Sequence, residues 1–289
     1  MKNNYLKIAI QEKGRLSDKS VETLEQIGLE FDTYSRKLSA RCQNFPIDIL
    51  FVRDDDIPEY VGDGTVDLGI VGNDVILERQ VKLKKIMPLN FGYCSLNIAC
   101  PKKLQIQNII DLNNLKIATT YPNILKKYFK KNKISAETVK LSGSVEIAPT
   151  LDVADCICDI ISTGNTLKMN GLVPSFKVLD SQAYLIADLQ SWQDVKKRKI
   201  IATLAMRIKS LIQARNTKYI MLNAPKSAVE KIIQIIPGAD SPTVIPLVNN
   251  KMVAIHSVVH EDVFWEVIDK LKAAGAKSIL ISPIEKLII

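Results

Sequence analysis

The sequence predicts an α/β protein followed by a separate C-terminal domain of ferredoxin-like order. Three observations carry this reading. Short apolar runs alternate with amphipathic segments from residue 6 onward, the rhythm of a parallel or mixed sheet covered by helices. After Asn216 the order changes to β-α-β-β-α-β, the ferredoxin-like arrangement. The chain has 289 residues, enough for about two domains, and at this length roughly three quarters of the unfolded surface can be buried without cross-links.

The elements follow in order. LKIAIQ (6–11) reads as a buried strand. Ser17 is placed to cap a helix that carries Val21, Leu24 and Ile27, and Gly28 ends it. PIDILFV (46–52) is a strand. DDDIPEYVGDG (54–64) fits a short helix, with acids at its positive end and Pro58 in its first turn. VDLGIVG (66–72) is a strand, and NDVILERQ (73–80) opens a helix with an Asn cap. KKIMPLNF and YCSLNIACP give two more strands, and a polar connection runs from Lys102 to Asn114.

LKIATT (115–120) begins a second unit. Tyr121-Pro122 leads into a helix to Lys131, and TVKLSG (138–143) is the next strand. A short helix near 145–151 precedes the strand VADCICDII (153–161), the polar loop STGNT (162–166) and a short helix ending at Gly171. FKVLD and AYLIAD close the unit. Residues 192–215 read as one long helix, with Ile200, Leu204, Ile208 and Leu211 on one face. Beyond a boundary at about residue 216 come the strand KYIMLNAP and the helix KSAVEKIIQII. A hairpin of TVIPLV and MVAIHSVV follows around Asn249-Asn250-Lys251. The helix EDVFWEVIDKLKAAG and the strand AKSILISPI end the chain.

Apolar residues make up 47% and charged residues 24%, which excludes a disordered or collagen-like chain. Lys+Arg 39 against Asp+Glu 31 gives a net charge of +8, suited to polyanionic partners such as nucleotides and phosphosugars. Part of that excess, at Lys126, Lys127, Lys130, Lys131 and Lys133, reads as a solvated face. There is no helix-turn-helix, zinc or RNA-recognition signature, so a nucleic-acid partner is not expected.

The first apolar run stops at Ile10 and charges follow at Glu12 and Lys13, unlike a signal peptide. No stretch reaches the about 18 apolar residues of a membrane helix. Five scattered cysteines do not form a disulfide framework. The expectation is a cytoplasmic protein with reduced thiols and no membrane partner. Cys156-x-Cys158 has no second ligand pair beside it and reads as buried core, not zinc. His256 and His260 are the only histidines; both lie in the C-terminal domain, His256 with a structural reading, so no histidine acts as acid or base before it. No G-x-x-x-x-G-K-[ST] loop is present.

The chemistry concentrates in VADCICDIISTGNT. A strand runs into a small polar loop and then a helix, where backbone N–H groups and the helix dipole favour an anion. Ser162, Thr163 and Thr166 add hydroxyl donors, and Gly164 allows close approach of a phosphate. Asp155 and Asp159 lie four apart and so on the same side of a strand, suited to sugar hydroxyls or a magnesium ion. The plain alternative is a β-turn-α connection whose polar residues cap the helix.

KGRLSD (13–18), VRDDDIP (52–58), DLGIVGND (67–74), TTYPN (119–123), SGSVEIAP (142–149) and DCICDIISTGNTL (155–167) together resemble the ATP phosphoribosyltransferase family of histidine biosynthesis. KYIMLNAP, SPTVIPL and GAKSILISPIEK resemble its long, histidine-regulated form, and the likeness runs nearly end to end. The resemblance implies two lobes like a type II periplasmic binding protein, residues 1–104 with 183–216 and residues 105–182, and a regulatory domain at 217–289. It implies transfer of phosphoribose from phosphoribosyl pyrophosphate to N1 of ATP, with Mg2+ as cofactor and histidine as feedback inhibitor. Homo-oligomers from dimer to hexamer are implied as well.

By resemblance, Asp159 contacts the ribose hydroxyls and Ser162, Thr163, Gly164, Asn165 and Thr166 take the 5-phosphate, with Asp155 beside them. Lys13 and Arg15, just past the first strand end, are assigned to pyrophosphate or triphosphate oxygens. Arg53 is assigned likewise, with local pairing to Asp54, Asp55 or Asp56 as its alternative. Asp74 and Tyr121 are further candidates on the ATP side, Tyr121 for stacking on adenine, and Glu146 for a ribose hydroxyl. Asn223, Ser241 and Thr243 are the candidates for free histidine. One departure stands out: after Phe91-Gly92-Tyr93-Cys94 the family pattern has a basic residue, and here Ser95 stands. The competing reading is a two-lobed small-molecule-binding protein without catalysis, since fold alone does not fix function.

Overall fold

The computed structural model describes residues 5–32, 38–161, 165–239 and 241–288, with side chains at all of these except 165, 166 and 262–264. The chain separates into two compact units, 1–202 and 203–289.

The first unit opens with β1 (Leu6–Gln11), α1 (Ser17–Gln26), β2 (Ser39–Arg41), β3 (Ile47–Val52), α2 (Ile57–Gly62), β4 (Leu68–Gly72), α3 (Asn73–Arg79) and β5 (Lys84–Pro88). It continues through β6 (Cys94–Pro101), β7 (Lys116–Thr119), α4 (Pro122–Asn132), β8 (Glu137–Lys140) and β9 (Cys156–Ile161). Next come α5 (Asn165–Met169), β10 (Leu172–Ser181), β11 (Ala183–Ala187), α6 (Leu189–Gln193) and α7 (Val195–Arg215), the last running on into the second unit.

Two sheets form the two lobes. The first has the order β2-β3-β1-β4-β11-β5. β1 pairs in parallel with β3 and β4, while β11 runs antiparallel to both its neighbours, β4 and β5, and β2 antiparallel to β3. Every residue of β4, LGIVG, is buried, as expected for a strand covered on both faces. The second sheet has the order β10-β6-β9-β7-β8. Its two faces hold separate cores: Leu96, Ile98, Ile117, Leu125, Cys156 and Cys158 on one, and Ala99, Ala118, Val145, Ile157 and Leu167 on the other.

Three expectations need correction. β6 belongs to the second sheet, between β10 and β9, so the second lobe starts at about residue 93 and not at 105. Its Leu96, Ile98 and Cys100 find their core there, against Ile117 and Leu125. The return at residue 183, by contrast, coincides with the step from β10 to β11. The helix read as 192–215 is broken at Asp194, whose φ of −65° and ψ of 120° are not helical and whose carboxylate accepts the Lys197 N–H at 2.9 Å. Asp194 thus caps α7. Ser17 and Asn73 are not caps: the Ser17 hydroxyl donates to Glu12 O at 2.9 Å, and the Asn73 Oδ1 accepts Lys85 Nζ at 2.5 Å.

In the second unit the last turns of α7 precede β12 (Thr217–Pro225), α8 (Val229–Ile235), β13 (Thr243–Pro246), β14 (Met252–His260), α9 (Glu261–Ala273) and β15 (Lys277–Pro283). The sheet order is β13-β14-β12-β15, all antiparallel, which is the ferredoxin-like topology. Ile220, Leu222 and Ala224 alternate along β12 and pack with Ile232, Ile255 and Leu271, so the helices cover that face. Leu287 N donates to Ser210 O at 3.1 Å, tying the second half of α7 to this unit, so the unit begins within the helix and not at 217.

Candidate active site

The turn after β1 is shaped by Gln11 and Gly14. Gln11 is buried and its Oε1 accepts the Leu16 N–H at 2.8 Å. Gly14 has φ +126°, a conformation open to glycine. The turn carries Arg15 so that one guanidinium nitrogen donates to Gly92 O and another lies 3.5 Å from Asp74 Oδ1.

Asp74, second residue of α3, is buried. Its N–H donates to Ser181 Oγ at 3.0 Å, and that hydroxyl donates to Asp74 Oδ1 at 2.5 Å. The Tyr121 hydroxyl donates to Asp74 Oδ2 at 3.3 Å. Both oxygens of a buried carboxylate are therefore matched, as burial of a charge requires. Gly72 leaves room for the arrangement: a Cβ there would overlap the Asp74 carboxylate and press on the Arg15 guanidinium.

Tyr121 stands before α4, in the second lobe, and its N–H donates to Thr119 Oγ1 at 2.9 Å. Burial holds its hydroxyl proton on, and the charges of Asp74, Asp159, Asp54 and Asp55 add to the effect. It is thus a neutral donor, surrounded by acids from both lobes. Burial and the neighbouring Asp55 likewise push the Asp54 carboxyl up.

Asp159 lies in β9, opposite Asn97 of β6, and its Oδ1 accepts the Ile160 N–H at 2.8 Å. Burial pushes its carboxyl up, the Ile160 N–H draws it down, and the charge of Glu146 raises it further. Glu146 sits in a single 3-10 turn, Val145–Ile147, entered through Ser144 at φ +50°.

Other expected residues fall elsewhere. Asp155 precedes β9 and its Oδ2 accepts the Lys116 N–H at 2.7 Å, pinning the start of β7. Four residues of strand separate it from Asp159 by about 13 Å, so the shared period does not make the two carboxylates one pair. The Lys13 side chain is 89% exposed and lies 3.5 Å from Glu12, outside the Arg15–Asp74 contact. Arg53 is exposed; Asp55 pairs with Arg79 at 3.2 Å, so the local pairing considered for Arg53 has another cation in it. Ser162, Thr163 and Gly164 lie outside the described residues; Asn165 and Thr166 begin α5. Ser95 accepts the Asn97 Nδ2–H at 2.7 Å. Cys156 and Cys158 are buried in the second lobe's core.

In the second unit Thr243 of β13 stands opposite His256 of β14, whose Nδ1 lies 2.5 Å from the Tyr219 hydroxyl. Asn223 of β12 stands opposite Ala254, two positions along the same strand and so on the same sheet face. The Ser241 hydroxyl is exposed and donates to Pro242 O at 3.4 Å. Gln11, Ser181, Thr119 and Asn97 were not singled out from the sequence. Their only signal was a polar residue within or beside an apolar strand.

Two mixed α/β lobes joined by two crossings, meeting at a buried acid, an arginine and a tyrosine, have the fold of the type II periplasmic-binding-protein class. A solved substrate-binding protein of an amino acid ABC transporter matches 73% of this chain and 94% of its own, with a TM-score of 0.50 and 12% identity, a likeness of fold alone. The sequence profile of ATP phosphoribosyltransferase matches residues 53–210, and that of the HisG C-terminal domain matches residues 214–286. An ATP phosphoribosyltransferase of Cytophaga hutchinsonii is 45% identical over 286 residues, covering 99% of both chains. A solved ATP phosphoribosyl transferase (HisG:HisZ) complex from Thermotoga maritima matches with a TM-score of 0.60 and 29% identity, covering 71% of this chain and 98% of that one.

The chain belongs to the ATP phosphoribosyltransferase family, in the form that carries the C-terminal domain. It is a glycosyltransferase that moves phosphoribose from phosphoribosyl pyrophosphate to N1 of ATP and releases pyrophosphate, the first step of histidine biosynthesis. The family uses a divalent metal. Among the described residues no helix is long and apolar enough to cross a membrane.

Proposed function

We propose that phosphoribosyl pyrophosphate is bound at the end of β9, with Asp159 on the ribose hydroxyls, Glu146 beside it and the loop Ser162-Thr163-Gly164-Asn165-Thr166 on the 5-phosphate. The observation that supports this best is the half-buried Asp159, three residues before that loop and facing the charge of Glu146. ATP lies toward the first lobe, where Arg15, Lys13 and Arg53 serve phosphate oxygens. Tyr121, anchored through its hydroxyl on Asp74, offers its ring to adenine.

The anomeric carbon becomes cation-like as pyrophosphate leaves, so no protein nucleophile is needed. The chain's task is to orient two anionic substrates and stabilise the leaving group. Asp54, Asp55, Asp74, Asp159 and Glu146 act on Tyr121 and on one another, against Arg15 paired with Asp74 and Arg79 paired with Asp55, which leaves a negative surround for anions. A divalent cation resolves that mismatch. Among the described residues no group of three or more His, Cys, Asp or Glu is arranged to hold a metal. Mg2+ keeps substrate phosphates and waters among its ligands; Asp159 and Glu146 are the residues that would meet it. When bound, it offsets the charge on the departing pyrophosphate.

Residues 1–202 are the catalytic part and 203–289 the regulatory part, with histidine held by Asn223, Ser241 and Thr243 as feedback inhibitor. The protein works in the cytoplasm as a homo-oligomer, from dimer to hexamer. The test is pyrophosphate release on mixing the protein with ATP, phosphoribosyl pyrophosphate and Mg2+, repeated with histidine. Release that needs all three and falls with histidine supports the reading; release unaffected by histidine removes the regulatory part.

A further inference from the structure

We infer that Lys177 supplies a cation for the pyrophosphate arm of phosphoribosyl pyrophosphate, an inference that rests on the assignment of Asp159 to the ribose of that substrate. Across the second sheet, Lys177 of β10 stands directly opposite Asn97 of β6, and Asn97 stands directly opposite Asp159 of β9. Residues directly opposite in antiparallel strands share a face. Lys177, Asn97 and Asp159 therefore form one row, cation, amide and carboxylate, on one face of the sheet. Phe176 and Val178, on either side of Lys177 in the chain, pack into the core on the other face, and Leu179 joins them past a register shift between Lys177 and Leu179.

Two strand spacings separate Lys177 from Asp159 by about 10 Å. A lysine stem spans much of that gap, and a sugar diphosphate spans the rest. Residues 162–166 follow Asp159 in sequence and take the 5-phosphate in the reading above. Lys177 lies sideways from Asp159, two strands away, where the opposite end of the same substrate would extend. Ser95, the next β6 residue on that face, carries no charge and accepts the Asn97 amide at 2.7 Å, so it supplies no cation. Lys177 is held at rest by Asp180, Nζ to Oδ2 2.9 Å, with the two side chains 60% and 71% exposed. An ion pair so exposed contributes little, and a doubly charged phosphoryl group displaces Asp180 readily.

The test is equilibrium binding to the full chain without ATP, with Mg2+ present, using phosphoribosyl pyrophosphate, inorganic pyrophosphate and ribose 5-phosphate as separate probes. Lys177→Met should weaken phosphoribosyl pyrophosphate and pyrophosphate about tenfold and leave ribose 5-phosphate unchanged. Lys177→Arg should keep the affinity, Asp180→Asn should raise it, and Ser95→Arg should restore it in the Lys177→Met background. A structural role would move none of these while leaving the melting temperature alone. Unchanged pyrophosphate binding in Lys177→Met, or weakened ribose 5-phosphate instead, overturns the inference. Asp159→Asn is measured in parallel. If it weakens ribose 5-phosphate and Lys177→Met leaves pyrophosphate unchanged, only the Lys177 inference fails. If Asp159→Asn leaves both sugar phosphates unchanged, the Asp159 assignment fails and the inference falls with it.

Discussion

The Glu78 carboxylate accepts the backbone N–H groups of Asn123 and Ile124 at 3.0 Å, at the first turn of α4. The Asn123 amide donates back to Glu78 O at 3.0 Å. Glu78 lies in the last turn of α3 of the first lobe, and α4 belongs to the second, so an acid of one lobe caps the positive end of a helix in the other. Together with Tyr121 on Asp74 this sets how the lobes meet. Glu78→Ala exposes two orphan donors and should cost about 1–2 kcal/mol. In a core of this size that lowers the melting temperature by about 3 °C. KM for both substrates should rise together, since both sites share the lobe geometry. Calorimetry and initial rates check this; unchanged KM values mean that other contacts hold the lobes.

Asp159→Asn should abolish most activity and yet stabilise the free protein. Burial raises the folded-state carboxyl of Asp159 above its unfolded value. A raised carboxyl contributes stability below the unfolded pKa and loses it as pH rises through the folded pKa. At neutral pH the charged Asp159 is therefore a burden that Asn lacks. The melting temperature of the variant should exceed the parent's at pH 7, and the difference should shrink as pH falls toward the unfolded carboxyl's value of about 4. Melting curves across pH decide it: a variant less stable at pH 7 would make Asp159 a structural residue.

Gly72→Ala tests the space left for Arg15 and Asp74. The new methyl meets the Asp74 carboxylate, which Ser181 holds in place and which cannot swing away without losing that bond. Its φ of −65° suits alanine, so backbone strain plays no part. The expected result is an increase of about tenfold in KM for ATP with a smaller change for phosphoribosyl pyrophosphate. Equal changes in both would place the Arg15–Asp74 contact outside the ATP side.

The fold was legible where a local pattern decides it. β1 was read residue for residue from its apolar run, and β4 lies within the run VDLGIVG read as a strand. β6 was read as a strand too, but which sheet it joins depends on β9 and β10, far along the chain. The same limit applies to the site. Arg15 and Asp74 could be singled out because each follows a strand end. Ser181, 107 residues from Asp74, could not, because nothing near it in sequence records the contact. Asp155 misled for a related reason: period two pairs it with Asp159 only if both lie in one strand, but Asp155 precedes β9 and its carboxylate meets the backbone of Lys116 in a neighbouring strand.

Histidine inhibition should depend on the open face of the C-terminal sheet. Thr243 and Asn223 share that face with His256 and the Tyr219 hydroxyl between and beside them. Ser241→Ala with Thr243→Ala in the full chain removes two hydroxyl donors for the ligand carboxylate. Half-inhibition should then need at least about tenfold more histidine, with uninhibited rates unchanged. The same inhibition curve in the double variant would put the ligand elsewhere.

The central claim is that the end of β9 and the loop after it hold phosphoribosyl pyrophosphate. The most direct measurement is titration of that substrate, and separately of ATP, into Thr163→Ala and Thr166→Ala. In the proposed site each hydroxyl would donate to an ionised phosphate, and such bonds contribute about 1.5–3 kcal/mol. The account predicts a rise of about 10- to 100-fold in the dissociation constant for phosphoribosyl pyrophosphate, with ATP little affected. Equal weakening of both substrates, or of neither, would contradict it.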